Sequence, residues 1–323
     1  ISLDKTATKL TVNATGDASI ASILAGTSGD STTAEKLATI AVTGDKAVTV
    51  TAIANDKSLS SLDVKSTATV AGTGNVAVTG GFDSDVAVTS INVSSAAGSA
   101  AIGAIDATNT AKTAGITTLN VSGASATVSS VGTVTADKLT TVTVSNTTGH
   151  STVDAISVIG SATNYTDGAI GTITLTGKAG ASKTGTIIAD NIGTVTVTST
   201  GTAAGDTATI GAVTVAGDAT GSFTDGTITG LKASAVSAAT IGNIAADKID
   251  SIIVESTSTT LVKDATLGTI QDGNAGAKAT VGTIDVKSNS GVATVGAITA
   301  DALGNTTVTG ATTAQLGAIT VTN

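Results

Sequence analysis

Acidic side chains are the residues of this chain whose types and spacing come closest to site chemistry. In Gly80-Gly81-Phe82-Asp83-Ser84-Asp85, two carboxylates two positions apart fall on one side of an extended strand, beside glycines that permit a tight turn. Oxygen donors of this kind suit Ca²⁺, so Asp83 and Asp85 read either as a calcium site or as a solvated acidic turn. No tandem G-G-x-G-x-D run accompanies them. A second set recurs: Asp137, Asp190, Asp247 and Asp301 each follow an Ala inside similar apolar alternation, in units of about 53–57 residues. If each unit spans two or three rungs of a stacked strand array, equivalent carboxylates lie roughly 10–14 Å apart, too far to share one ion. Caps on backbone amides at corners are the better reading for these four.

Catalysis has little else to draw on. The single histidine, His150, sits in SNTTGHST between strand signals and reads as a turn residue rather than a general base. No G-x-S-x-G elbow occurs, and Tyr165, Phe82 and Phe223 are the whole aromatic supply for stacking a sugar. The expectation is a protein that is not an enzyme.

The elements that would carry these residues are short period-two runs. LATIAVTG (37 to 44), LSSLDVKS (59 to 66), VTSINVSS (88 to 95) and ITTLNVSG (116 to 123) alternate apolar and polar positions. LTTVTVSN (139 to 146), IGTITLTG (170 to 177), IGTVTVTS (192 to 199), IGAVTVAG (210 to 217), VGTIDVKS (281 to 288) and LGAITVTN (316 to 323) follow one template. Runs of this length broken by Gly, Asn, Asp and Ser are strands joined by tight corners. The fold expected is all-β: an elongated repetitive β-solenoid resembling a parallel β-helix, with tandem β-sandwich modules as the alternative. Small, interchangeable apolar residues favour the solenoid, since a flat side chain stacks on its copy in the next coil where a large ring would part the layers. Coils of about 18–27 residues at about 4.8 Å per rung predict a rod of about 60–90 Å. Residues 1–36 repeat least and are assigned to an N-terminal cap or small β module, with the solenoid over 37–323. Helix is limited to a turn or two at 31 to 40 and 237 to 249.

Composition narrows the function class. The chain has 323 residues, 41% apolar but only 1% aromatic, with no Pro, Cys, Met or Trp. The net charge of −9 and the absence of Arg oppose nucleic-acid binding. Twenty-two of the 24 acidic residues are Asp, which favours corners over helices. Without Cys there is no disulfide or thiol chemistry. Neither a signal peptide nor an apolar run long enough to span a bilayer is visible, so no transmembrane segment is expected. The first residue is Ile1 rather than Met, as expected of a processed product or part of a longer chain. Six N-x-(S/T) sequons occur, among them Asn92, Asn146 and Asn305. Thr-x-Thr runs at 172 to 176 and 194 to 200 resemble the flat arrays of ice-binding solenoids, although the outward slots elsewhere vary.

Repeats rich in Thr, Ser, Ala, Val and Gly, acidity, Lys without Arg, and the missing Cys, Met, Trp and Pro resemble bacterial surface-layer proteins and repetitive surface adhesins. The opening ISLDKTATKLTV is similar to the first strand of bacterial immunoglobulin-like surface modules. The resemblance implies an extracellular, bacterial cell-surface structural protein that self-assembles into a lattice or filament, with Ca²⁺ commonly needed for assembly. An adhesin stalk binding host or substrate surfaces is the alternative. The partners implied are further copies of the chain and cell-surface glycan. Because LGAITVTN completes the strand template with no polar cap, residues 316 to 323 are expected to pair with a neighbouring molecule or with further chain.

Overall fold

A computed structural model describes residues 1–3, 6–25, 36–54, 58–160, 168–215, 226–260, 262–271 and 279–322. The chain divides into two units, Ile1–Gly149 and His150–Asn323. Both are built from parallel strands alone, and no helix occurs among the described residues. Each is a β-solenoid.

One coil consists of a long strand, a corner, a short strand, a sharp bend and a second short strand. In the first unit the long strands Lys9–Ala14, Thr39–Gly44, Ser61–Ser66, Ala87–Ser95, Gly115–Gly123 and Leu139–Asn146 pair in that order, all parallel. In the second unit Ala169–Gly177, Asn191–Ser199, Thr227–Ala235, Lys248–Ser256, Thr280–Ser288 and Thr306–Gly310 do the same. The first short strands form their own ladder, as in Ala208–Ile210, Ala239–Ile241, Ala265–Leu267 and Val292–Val295. The second short strands form another, as in Ile187–Ala189, Val213–Val215, Ile244–Ala245 and Ile270–Gln271.

Coil length varies while register does not. Val195 stands over Ile173, Leu231 over Val195, Ile252 over Leu231 and Ile284 over Ile252. The first and third of these steps are short, and the second and fourth are half as long again or more. In the second unit short and long coils therefore alternate, and the aspartate spacing within it spans two of them. In the coil that runs from Ala87–Ser95 to Gly115–Gly123, the extra residues, 108–114, sit in the connection that returns to the long strand. The stretch assigned to a cap, 1–36, contains a coil of the same kind: Lys9–Ala14 and Ala18–Ile20 pair in register with Thr39–Gly44 and Val48–Val50.

The interior is a set of columns. Leu62, Ile91, Leu119 and Val142 occupy one column, and Leu175, Val197, Ala233, Val254 and Val286 another, each fully buried. β-branched and small residues fill these columns because strands about 4.8 Å apart leave one layer per side chain. The bend between the short strands reads apolar-Gly-x-apolar and stacks Gly185, Gly211, Gly242, Gly268, Gly296 and Gly317 in the second unit. A Cβ on Gly211 would lie 2.4 Å from Gly185 O, and one on Gly268 would lie 2.7 Å from the Gly242 carbonyl carbon. That backbone approach, rather than an unusual φ, is what selects glycine there.

This anatomy corrects two sequence expectations. The template joined two different positions: 170 to 177, 192 to 199 and 281 to 288 lie in long strands, whereas the described parts of the other two, 210 to 215 and 316 to 322, cross the bend between short strands. Both positions read apolar-Gly-x-apolar, so their linear patterns coincide. The segment 237 to 249 is strand, at Ala239–Ile241, Ile244–Ala245 and Lys248–Ser256, because its Ala and Ile side chains alternate into the columns. Of the other expected helical turn, 31 to 40, residues 31–35 lie outside the described residues, and Thr39 and Ile40 are strand.

The inward and outward assignment is testable. Val197→Asp, which places an unpaired carboxylate between Leu175 and Ala233, should cost about 3–5 kcal/mol in urea unfolding. Thr194→Lys on the outward side should change stability by less than about 0.5 kcal/mol. Equal effects would reverse the faces.

Candidate functional site: aspartate clasps, corner seals and a surface cavity

The four recurrent aspartates sit in the short return of one coil to its long strand, beside the longer connection of the preceding coil. Asp137 is fully buried. Its Oδ2 accepts the backbone N–H of Asn109 at 3.0 Å and of Ala114 at 3.2 Å, and Lys112 Nζ lies 3.3 Å from Oδ1. Asp190, also buried, accepts N–H donors from Gly160 at 2.9 Å and Gly168 at 3.2 Å. Asp301 accepts from Ala279 at 2.8 Å. Asp247 is buried against Gly226, where a Cβ would stand 2.6 Å from Oδ2. In Asp137 and Asp190, one carboxylate thus closes both feet of a connection belonging to the preceding coil. Charge-assisted bonds of this kind are stronger than neutral ones and answer backbone donors that the connection cannot pair internally. These are corner clasps, and the carboxylates point into the protein's own backbone.

A second device was not legible as a site. The last residue of the long strand, Gly, Ser or Asn in the sequence template, is buried at Ser66, Ser95, Asn146, Ser199, Ser256 and Ser288. Ser66 Oγ donates to Lys46 O at 2.6 Å, Ser95 Oγ to Gly74 O at 2.7 Å and Ser256 Oγ to Ser237 O at 2.7 Å; Asn146 Nδ2 donates to Thr127 O at 2.6 Å. Each acceptor lies in the corner of the preceding coil. Several of these side chains also accept from their own corner, as Gly98 N to Ser95 Oγ at 2.7 Å and Gly149 N to Asn146 Oδ1 at 2.8 Å. In the sequence they look like turn breakers, but in the fold they seal one coil to the next.

Asp83 and Asp85 are both exposed, on either side of buried Ser84, as strand alternation requires. The next coil sets Asp106 in register with Asp83, a neighbour that linear spacing cannot reveal. Thr108 Oγ1 donates to Asp106 Oδ1 at 2.8 Å. Among the described residues, no group of three or more His, Cys, Asp or Glu side chains is arranged to hold a metal. His150 lies in a corner with its ring against the backbone of Gly180, whose added Cβ would meet Nδ1 at 2.7 Å, so the imidazole serves packing. Phe82 is buried; Tyr165 and Phe223 lie outside the described residues.

The outward slots form ladders. Asn92 Nδ2 donates to Asp63 Oδ1 at 2.6 Å and Asn120 Nδ2 to Asn92 Oδ1 at 2.8 Å. Two sequon asparagines are thus engaged with each other, and Asn146 is buried, whereas Asn305 is exposed. Thr172, Thr174 and Thr176 stand in register with Thr194, Thr196 and Thr198; the next coil places Gly230, Lys232 and Ser234 there, which ends the threonine array after two rungs.

In the first unit a cavity of about 450 Å³ opens at the corner, lined by Asp17, Asp45, Lys46, Ala47, Ala68, Val70 and Asn75 among others. It exists because the Ser66 to Val76 corner is long and Ala47 has only a methyl group to fill the gap. Asp17 Oδ1 accepts Ala47 N at 3.0 Å, and Val70 on the rim is 65% exposed.

Comparison with protein-family models, with curated proteins and with solved structures finds no match to this chain.

The clasp assignment carries its own check. Asp137→Ala should accelerate amide exchange at Asn109 and Ala114 by at least about ten-fold and cost about 1.5–3 kcal/mol. Unchanged exchange at both amides would contradict it.

Proposed function

We propose that this chain is a structural protein of the bacterial cell surface that self-assembles into a layer or filament, with no catalytic role. One observation carries the reading: outward side chains form flat ladders that repeat from coil to coil, Asp63, Asn92 and Asn120 in one and Thr172, Thr174 and Thr176 over Thr194, Thr196 and Thr198 in another, and lateral packing of copies needs such repeating surfaces. Ca²⁺ at the Asp83 and Asp85 carboxylates is proposed to assist assembly by removing like-charge repulsion.

A second reading is an adhesin stalk. The ladder of Asp63, Asn92 and Asn120 and the six aligned threonines favour it, because amide and hydroxyl groups at fixed spacing suit a glycan surface.

Electron microscopy of the purified chain, with and without Ca²⁺, tests the first reading. Sheets or filaments that grow with Ca²⁺ are expected; isolated particles under both conditions would contradict self-assembly.

A further inference from the structure

Two exposed valines stand out from a surface otherwise made mostly of Thr, Ser, Asp and Ala. Val70, 65% exposed, forms the rim of the corner cavity, and Val262, 73% exposed, sits on another long corner, between Ser256 and Ala265. Single exposed apolar residues are ordinary, but an exposed apolar residue on the lip of an apolar-walled cavity marks a contact. The cavity has a definite chemistry. Ala47, Ala68 and Val70 supply carbon surface, while Asp17 and Asp45 outnumber Lys46 and leave a net negative rim. Whatever fills it must present a small apolar side chain with a cation beside it.

The chain itself offers that pair. Among the described residues, Val262 is the one exposed large apolar side chain with a lysine next to it, Lys263. Lys263 Nζ donates to the Ala204 carbonyl at 3.2 Å, and no described carboxylate neutralises it. The neighbouring Asp264 is turned away, its Oδ1 accepting Val292 N at 2.9 Å. On the cavity side, the rim turn is closed by Thr73, whose N–H and Oγ1 both donate to Val70 O, at 3.0 and 2.6 Å. The rim of the cavity is therefore held in shape before a partner arrives, which lowers the entropic cost of docking, and Lys263 would exchange one carbonyl for two carboxylates.

We propose that Val262 and Lys263 of one molecule insert into the corner cavity of a second copy of this chain, Val262 against Ala47, Ala68 and Val70, and Lys263 between Asp17 and Asp45. The contact is heterologous: knob and hole are different surfaces of the molecule, so it propagates instead of stopping at a pair. It rests on the self-assembly reading and names a corner contact distinct from the outward ladders.

Charge exchange tests it. Self-association of the full chain would be followed by sedimentation for the wild type, Lys263→Glu, Asp45→Lys, Val70→Asp and the combined Lys263→Glu/Asp45→Lys. All altered side chains are surface-accessible, and thermal unfolding of each variant confirms that it folds. Each single variant should weaken association at least about ten-fold, and the combined exchange should restore it to within about three-fold of wild type. Wild-type association in all the single variants would overturn this contact while leaving self-assembly standing, as would a combined variant no stronger than the singles. A wild type that stays monomeric at every concentration would overturn both.

Discussion

In-register parallel pairing between successive coils is the constraint on which the other features depend. Each backbone N–H and C=O of a strand finds its partner in the coil before or after, so a coil alone satisfies none of them. Register must then be kept whatever the coil length, as the alternately short and long steps from Ile173 through Val195, Leu231 and Ile252 to Ile284 show. Side chains inherit the same rule. A column such as Leu175, Val197, Ala233, Val254 and Val286 tolerates only residues that fit one strand spacing, which accounts for a 41% apolar chain with 1% aromatics.

Polar residues serve the same pairing at the places where strands stop. Ser95 and Asn146 seal corners by bonding the preceding coil, and Asp137 and Asp190 hold the long connections by their backbone amides. Insertions are thereby confined to clasped connections and sealed corners, and the ladders run past them without a shift. One consequence is functional: the chain can vary its corners freely, and the long corner Ser66 to Val76 creates the cavity that the tight corner Gly44 to Val48 does not.

Much of this was legible in the linear sequence, for physical reasons. Period-two alternation marks strands directly, and small interchangeable core residues mark stacking; both hold in LTTVTVSN, whose Val142 and Val144 are buried between outward threonines. The role of the recurrent aspartates as backbone caps was also readable, because Asp at a corner has few other uses. What could not be read was anything that depends on which residues a coil brings together. Asp106 meets Asp83 only through the register of neighbouring coils, and the partners of Ser66 and Ser256 lie in earlier corners. The apolar-Gly-x-apolar motif was ambiguous, since a long-strand start and a short-strand bend share it. Ala-rich 237 to 249 looked helical for want of the column into which Ile241 and Ile244 point.

Register between coils is also the quantity most directly measured. Spin labels on paired outward cysteines, Thr174→Cys with Thr196→Cys, should show strong dipolar broadening, because strands in register stand about 4.8 Å apart. Labels at Thr174 and Lys232, two coils apart, should show weaker coupling at roughly twice that backbone spacing. Equal coupling in the two pairs, or none in the first, would contradict the parallel in-register solenoid and every surface derived from it.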